Sequence, residues 1–161
     1  MALHGELTPQ NIKSKLNIPP NLQNAFDRVT TAGMKVLYDP DSGADIKEHF
    51  SAPGEMGTKL GEAIASIMLQ MFQESNASMP PNVMIPSGTY LIVEFADFLD
   101  KSGRYQVSDA DVGKATQLMI QLLMKAFNIN QNNVSQIVSQ LPGNTPPGNT
   151  PPGIVQSAQG A

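Results

Sequence analysis

The chain has 161 residues, a length typical of one domain that buries a sizeable core without disulfides. Only 15% of the residues are charged, against roughly 25% in an average soluble domain, so more of the surface can tolerate a neighbouring protein. The absence of cysteine excludes disulfides, thiolate metal sites and a cysteine nucleophile. The net charge is −4 at pH 7 and the basic residues are scattered singly, so we expect no autonomous nucleic-acid binding.

No segment predicts a membrane span or a secretion signal. The longest strongly apolar stretch without a charge, residues 63–72, is about half of the roughly 20 residues that a bilayer span requires. Residues 1–8 lack a basic region followed by an apolar core, so we expect no export by that route.

The first two helices are predicted from a cap and from apolar spacing. Thr8 before Pro9 supplies a capping residue and a proline at the first helical position, and Ile12 and Leu16 fall four residues apart. This predicts a short amphipathic helix. Apolar residues then recur at spacings of three and four over residues 21–37, which predicts a second helix of about five turns.

The middle of the chain contains the strongest helical pattern. Ile46 and Phe50 provide only a weak apolar face, whereas a wide apolar stripe over residues 60–72 predicts a core helix. After Gly88, residues 90–101 favour a helix by their spacing, although the β-branched pair 92–93 leaves a strand as the alternative.

The last part of the chain predicts one well-capped helix and a tail. Ser108 and Asp111 form a variant capping box that begins a helix through Phe127, whose apolar residues wrap most of the way round, as in a helix buried on several sides. A final helix is plausible over residues 132–141. The tail beyond contains PGNTP twice in tandem, a composition typical of an extended linker, with or without a role of its own.

These patterns predict an all-α fold, a compact bundle of five or six helices with an extended Pro/Gly-rich carboxyl-terminal tail. We divide the chain into an amino-terminal arm or short helix (1–18), a helical domain (19–141) and the tail (142–161).

Three local patterns resemble reactive sites, but each departs from its motif. Thr precedes Lys59 where a phosphate loop needs Gly-Lys-Ser or Gly-Lys-Thr, so we interpret the glycines of residues 54–61 as allowing close helix packing. The aspartates within residues 39–45 lack the glycine and glutamate of an EF-hand loop. His49 belongs to no motif. We therefore expect no catalytic, cofactor-binding or metal site, and no enzyme.

The nine methionines have two interpretations. Their flexible thioethers fill irregular space in cores, or they form an adaptable protein-binding surface. Two apolar residues off the main stripe of the helix predicted between Ser108 and Phe127, and an Ile-Val pair near the chain end, are further candidates for contact with a partner. The candidate interaction residues are Met68, Met71, Met79, Met84, Ile120, Met124, Ile154 and Val155.

Three segments carry a family resemblance: PPNLQNAFDRVTTAGMKVLYDP (19–40), GTKLGEAIASIMLQMFQESNASMPPNVMIPSG (57–88) and DVGKATQLMIQLLMKAF (111–127). With the residues between them, they resemble small virion proteins of tailed bacteriophages, especially short-tailed, podovirus-like ones. The resemblance covers about two-thirds of the chain and consists of a pattern of helices around an MPP-xxx-IP loop.

The resemblance implies a virion structural protein that acts in many copies as a head, neck or internal component. Its expected partners are itself and other virion proteins of the portal, neck, tail or internal core, after synthesis in the host bacterial cytoplasm. The family has no assigned active site to transfer. A transient assembly factor or chaperone is the alternative, and a small hydrolase is disfavoured because no motif places a pair of carboxylates.

Overall fold

The computed structural model describes residues 7–128, which contain six α-helices and no strand. A short 3₁₀ helix, Pro20–Leu22, leads into the second α-helix. The helices are α1 (Pro9–Lys15), α2 (Gln23–Leu37), α3 (Gly43–Ser51), α4 (Met56–Glu74), α5 (Pro81–Lys101) and α6 (Asp109–Phe127). The predicted all-α bundle is confirmed.

Both caps that the sequence predicts are formed. The Thr8 hydroxyl accepts a hydrogen bond from the Asn11 amide at 3.3 Å and begins α1. At the start of α6, the Ser108 amide donates to the Asp111 carboxylate at 2.9 Å, and the Asp111 amide donates to the Ser108 hydroxyl at 3.2 Å. This reciprocal pair satisfies two amides that the first turn of a helix leaves without partners.

The fifth helix begins earlier than its spacing predicts. It starts at Pro81 and continues through Pro86, so Met84 lies inside a helix and not beside a loop. Pro86 has no amide hydrogen to donate to the carbonyl of Asn82, four residues earlier, which usually interrupts a helix. Here thirteen residues of α5 are buried, and that packing outweighs the local preference.

The central contact of the bundle joins α4 to α6. Gly57 and Gly61 lie four residues apart on one face of α4. A Cβ atom at Gly57 would lie 3.0 Å from the Asp111 carbonyl oxygen, and one at Gly61 would lie 2.8 Å from that of Ala115. These glycines therefore allow the two backbones to approach closely, as the sequence interpretation proposed.

The first helix belongs to the same core as the rest of the described residues. Ile12 and Leu16 are buried in the main hydrophobic cluster, with residues of all five later α-helices. The boundary placed at residue 18 therefore does not separate α1 from the packing of the helical domain.

Candidate interaction groove

Five of the sequence-predicted interaction residues lie in the core. Their side chains are at most 9% exposed and belong to the main hydrophobic cluster: Met68, Met71, Met79, Met84 and Ile120. The structure corrects their assignment to an exposed surface, because the chain's own helices cover them. Their packing agrees with the alternative interpretation, in which methionines fill irregular core space.

The remaining three candidates have different positions. Met124 is half-buried and packs against the edge of the core. Ile154 and Val155 lie outside the described residues, as do the predicted helix over 132–141 and the tail.

The residues that resemble a phosphate loop serve the ends of helices. Lys59 is buried, and its Nζ donates hydrogen bonds to the Phe50 carbonyl at 3.0 Å and to the Ala52 carbonyl. It thereby binds carbonyls that the last turn of α3 leaves without helical partners. The His49 Nε2 atom lies 2.9 Å from the Lys59 carbonyl oxygen, so both side chains join α3 to α4.

The acidic turn before α3 is held by an internal hydrogen bond. The Asp39 carboxylate accepts from the Asp41 amide at 2.9 Å, a local turn contact. Within residues 7–128, no group of three or more His, Cys, Asp and Glu side chains is placed to hold a metal ion. None of the described helices combines the length and apolar character needed to cross a bilayer.

A groove lies where the carboxyl-terminal ends of α2 and α5 meet α3. It has a volume of about 740 Å³ and a mostly apolar lining. Five aromatic side chains converge there, in a chain that has only six Phe and three Tyr residues. They define what we call the aromatic groove: Tyr38, Phe50, Phe95, Phe98 and Tyr105.

The aromatic groove has a buried floor and an exposed rim. Phe50 and Phe95 are 3% and 1% exposed, and their rings meet edge to face at 5.4 Å. Tyr38 and Phe98 are 41% and 47% exposed, and their centroids lie 5.1 Å apart. Of the large hydrophobic side chains in the described part of the chain, these two are the exposed ones.

The floor and the rim pack on each other. Phe98 stacks on Phe95 with ring centroids 5.9 Å apart, and Tyr105 meets Phe50 at 6.1 Å. Contacts of this kind fix aromatic rings in defined positions. The exposed rings are therefore held on a rigid base, as in preformed binding sites.

The tyrosine at the rim keeps its proton over the physiological range. Partial burial, together with the nearby negative charges of Glu94 and Asp97, raises the pKa of Tyr38 to about 12. Its hydroxyl can therefore donate a hydrogen bond to a ligand at neutral pH. A ring cluster with tyrosine hydroxyls among its members is suited to binding a partly apolar partner.

Sequence reasoning missed this groove. In the sequence, Phe98 falls within the helical spacing of residues 90–101, and Tyr38 belongs to no predicted site. The sequence contains only a weak signal for an exposed aromatic site. Tyr38 follows the last residue of α2, and Phe98 lies at the edge of the apolar face of α5, next to the buried residues Phe95 and Leu99. Periodicity identifies which face of a helix is apolar but not whether another element covers its margin.

A second, more open groove of about 970 Å³ runs between α2 and the junction of α4 with α5. Met71 and Met79 contribute to its lining, but its sides also carry Asp27, Lys35 and Glu74. The aromatic groove also carries charges of both signs, on Asp39, Lys47 and Arg104, but its lining is more apolar. Because the second groove is more polar and its methionines are nearly covered, it is the weaker candidate for an apolar partner.

The fold and the groove together define a class: an all-α protein with a preformed, exposed aromatic surface. No protein-family model, no curated protein and no solved structure matches the chain.

Proposed function

We propose that this chain is a non-enzymatic structural protein of a bacteriophage virion, present in many copies as a head, neck or internal component near the portal. It acts by packing against itself and other virion proteins. The observation that supports a packing role is the aromatic groove, and the resemblance of the three segments quoted above to virion proteins supports the location.

The groove has enough uncovered aromatic surface to contribute substantially to binding. An aromatic side chain buries roughly 150–250 Å², and apolar burial is worth about 25 cal/mol per Å². Covering the exposed halves of Tyr38 and Phe98 therefore contributes on the order of 5 kcal/mol to the binding free energy, before the cost of the freedom of motion lost on association is subtracted. Such aromatic residues are enriched among the positions that dominate binding energy.

The particle itself tests this proposal. Mass spectrometry of virions purified from cells infected with the encoding phage should find the chain at a fixed copy number. A chain that is found in assembly intermediates but is absent from finished virions would instead be a transient assembly factor or chaperone.

The non-enzymatic part of the proposal has its own test. Zymograms on cell-wall material and nuclease assays with the purified chain are expected to show no product above buffer. A cleared zone that co-purifies with the chain through two columns would contradict this part and support the hydrolase hypothesis.

A further inference from the structure

The aromatic groove has the chemistry of a receptor for proline-rich peptide. Proline rings pack on aromatic faces, and a polyproline II segment loses little conformational entropy on binding because its backbone is already restricted. In such sites a tyrosine hydroxyl or another donor binds the free carbonyls of the ligand. The exposed Phe98 ring and the protonated Tyr38 hydroxyl provide both features at the rim.

The chain carries a matching sequence in its own tail. Five prolines occur between residues 142 and 152, in the sequence PGNTPPGNTPP, and Ile154-Val155 follows two residues later. Residues 142–161 include no Asp, Glu, Lys, Arg or His side chain. An uncharged, proline-rich segment can enter a mostly apolar groove without the desolvation of a charged side chain.

We propose that the aromatic groove binds the proline-rich tail, residues 142–155, of a second copy of this chain. This inference rests on the packing role proposed above for the groove and names its partner.

The geometry favours a second copy over the chain's own tail. The groove lies at the carboxyl-terminal end of α5, close to where α6 begins, since Tyr105 of the connecting segment lines it. At the far end of α6, Phe127 packs against Phe72 near the end of α4, with ring centroids 4.2 Å apart. The 19 residues of α6 span about 28 Å, so the chain leaves the described residues at the opposite end of the bundle.

The connecting residues are short for a return to the same molecule. The helix that the sequence predicts over 132–141 would advance about 15 Å, and the three residues before it would add about 10 Å. That reach is less than the length of α6, so in the same molecule only the later part of the tail could return to the groove. A second copy can present the whole segment 142–155.

Binding of this kind is directional. The tail of one copy contacts the groove of the next, so the two surfaces of the contact differ and a bound pair still offers one free groove and one free tail. Head-to-tail contacts form a ring when the rotation closes and a filament when it does not. The wild-type chain should therefore form oligomers larger than a dimer.

The test uses two full-length variants that each lose one half of the contact. The groove variant carries Tyr38→Ser and Phe98→Ser, both at exposed positions. The tail variant replaces the paired prolines with serine: Pro146→Ser, Pro147→Ser, Pro151→Ser and Pro152→Ser. Sedimentation equilibrium should show self-association of either variant weakened at least about tenfold relative to wild type.

The equimolar mixture of the two variants gives the sharpest result. The intact tail of the groove variant can bind the intact groove of the tail variant. The altered groove and the altered tail that remain cannot bind a further subunit. The mixture should therefore form a 1:1 dimer and nothing larger. A mixture that stays monomeric while wild type associates would overturn the inference, as would a wild-type chain that stays monomeric at all concentrations.

A matched control removes an aromatic ring from the other end of the bundle. Phe72→Ala deletes a half-buried ring that contacts Phe127 and not the groove. It should self-associate as wild type does, with helicity checked by circular dichroism. If the groove variant associates as strongly as Phe72→Ala, the groove is not the receptor.

The two proposals fail separately in these experiments. A chain present in virions whose groove and tail variants associate normally would refute only the tail contact. If the mixture of variants dimerises but the chain is absent from virions, only the virion role is refuted.

Discussion

Two apolar surfaces of this protein differ in whether they are covered. The contact between α4 and α6, which we call the seam, is closed, whereas the aromatic groove is open. At the seam, Gly57 and Gly61 let two backbones meet so closely that a single Cβ atom would lie 2.8 to 3.0 Å from a carbonyl oxygen. At the groove, aromatic rings line the space where the ends of α2 and α5 meet α3, and two of the rings remain nearly half exposed.

The difference shows that whether an apolar surface is covered by a neighbouring helix depends on complementary shape and not on apolar character alone. Small residues at spacings of four give a helix a flat face that a neighbour can approach. Large rings near the ends of helices leave space that another chain or segment can fill. We therefore attribute stability mainly to the seam and association mainly to the groove.

The largest expected effect comes from filling the seam. Gly61→Leu should lower the free energy of unfolding by about 3 kcal/mol, because its side chain would collide with the Ala115 backbone, which cannot move aside cheaply. The control is Gly113→Ala on the exposed side of α6, where nothing lies within 4 Å of the added atom. Gly113→Ala should stabilise the protein by roughly 0.5–1 kcal/mol. Urea unfolding measures both, and equal effects would contradict the special role of the seam.

The next effect concerns the buried lysine that joins α3 to the seam helix. Lys59→Met should lower the free energy of unfolding by about 2 kcal/mol, because it leaves the Phe50 and Ala52 carbonyls without their charged donor. Lys47→Met, at an exposed position of α3, should change it by less than about 0.5 kcal/mol. Thermal unfolding followed by circular dichroism compares the two, and matching losses would show that the buried hydrogen bonds are unimportant.

A smaller, pH-dependent effect is expected at the capping box beside the seam. Partial burial raises the pKa of Asp111, but its hydrogen bonds with Ser108 and the Gly57 backbone, together with the nearby charge of Lys114, outweigh burial and leave the pKa below its ordinary value. A lowered folded-state pKa stabilises the protein above the unfolded-state value of about 3.9 and ceases to do so as pH falls through the folded-state value.

Asp111→Ala should therefore lower the free energy of unfolding by about 1 kcal/mol at pH 7. The difference from wild type should shrink below about pH 4, as the wild-type carboxylate takes up a proton. Urea unfolding at several pH values measures it. A difference that stays constant down to pH 2 would mean that the ionised carboxylate does not contribute.

The smallest effect has the opposite sign. Ser87 is fully buried in α5, and its hydroxyl has no hydrogen-bond partner. Ser87→Ala should stabilise the protein by roughly 0.5 kcal/mol, because removing an unpaired buried hydroxyl outweighs the small cavity that results. A clear loss of stability by urea unfolding would mean that the hydroxyl is satisfied by a bound water.

The sequence predicts those parts of the fold that depend on local signals. Thr8 and Ser108 form the caps that their neighbours suggest, and the glycines before and within α4 provide close packing as interpreted. The start of α5 was missed because Pro86 argues locally against a helix that tertiary packing stabilises.

The groove could not be found from local patterns. Its five rings come from α2, α3, α5 and the segment after α5, so their convergence depends on how those elements pack. Met68 and Met71 belong to the stripe with the strongest helical periodicity, which is a property of buried residues. Met84 is buried because α5 begins before it, and Ile120, although off the main stripe, is buried because both α4 and α5 pack against α6.

The exposed rings at the rim of the aromatic groove are proposed to serve association. The most direct measurement compares the full-length wild type with the Tyr38→Ser/Phe98→Ser variant, using light scattering for mass and urea unfolding for stability. The variant should lose its oligomers and still unfold cooperatively, although the loss of the buried halves of both rings lowers its free energy of unfolding. A variant that keeps the wild-type mass would contradict the proposed role of the rim.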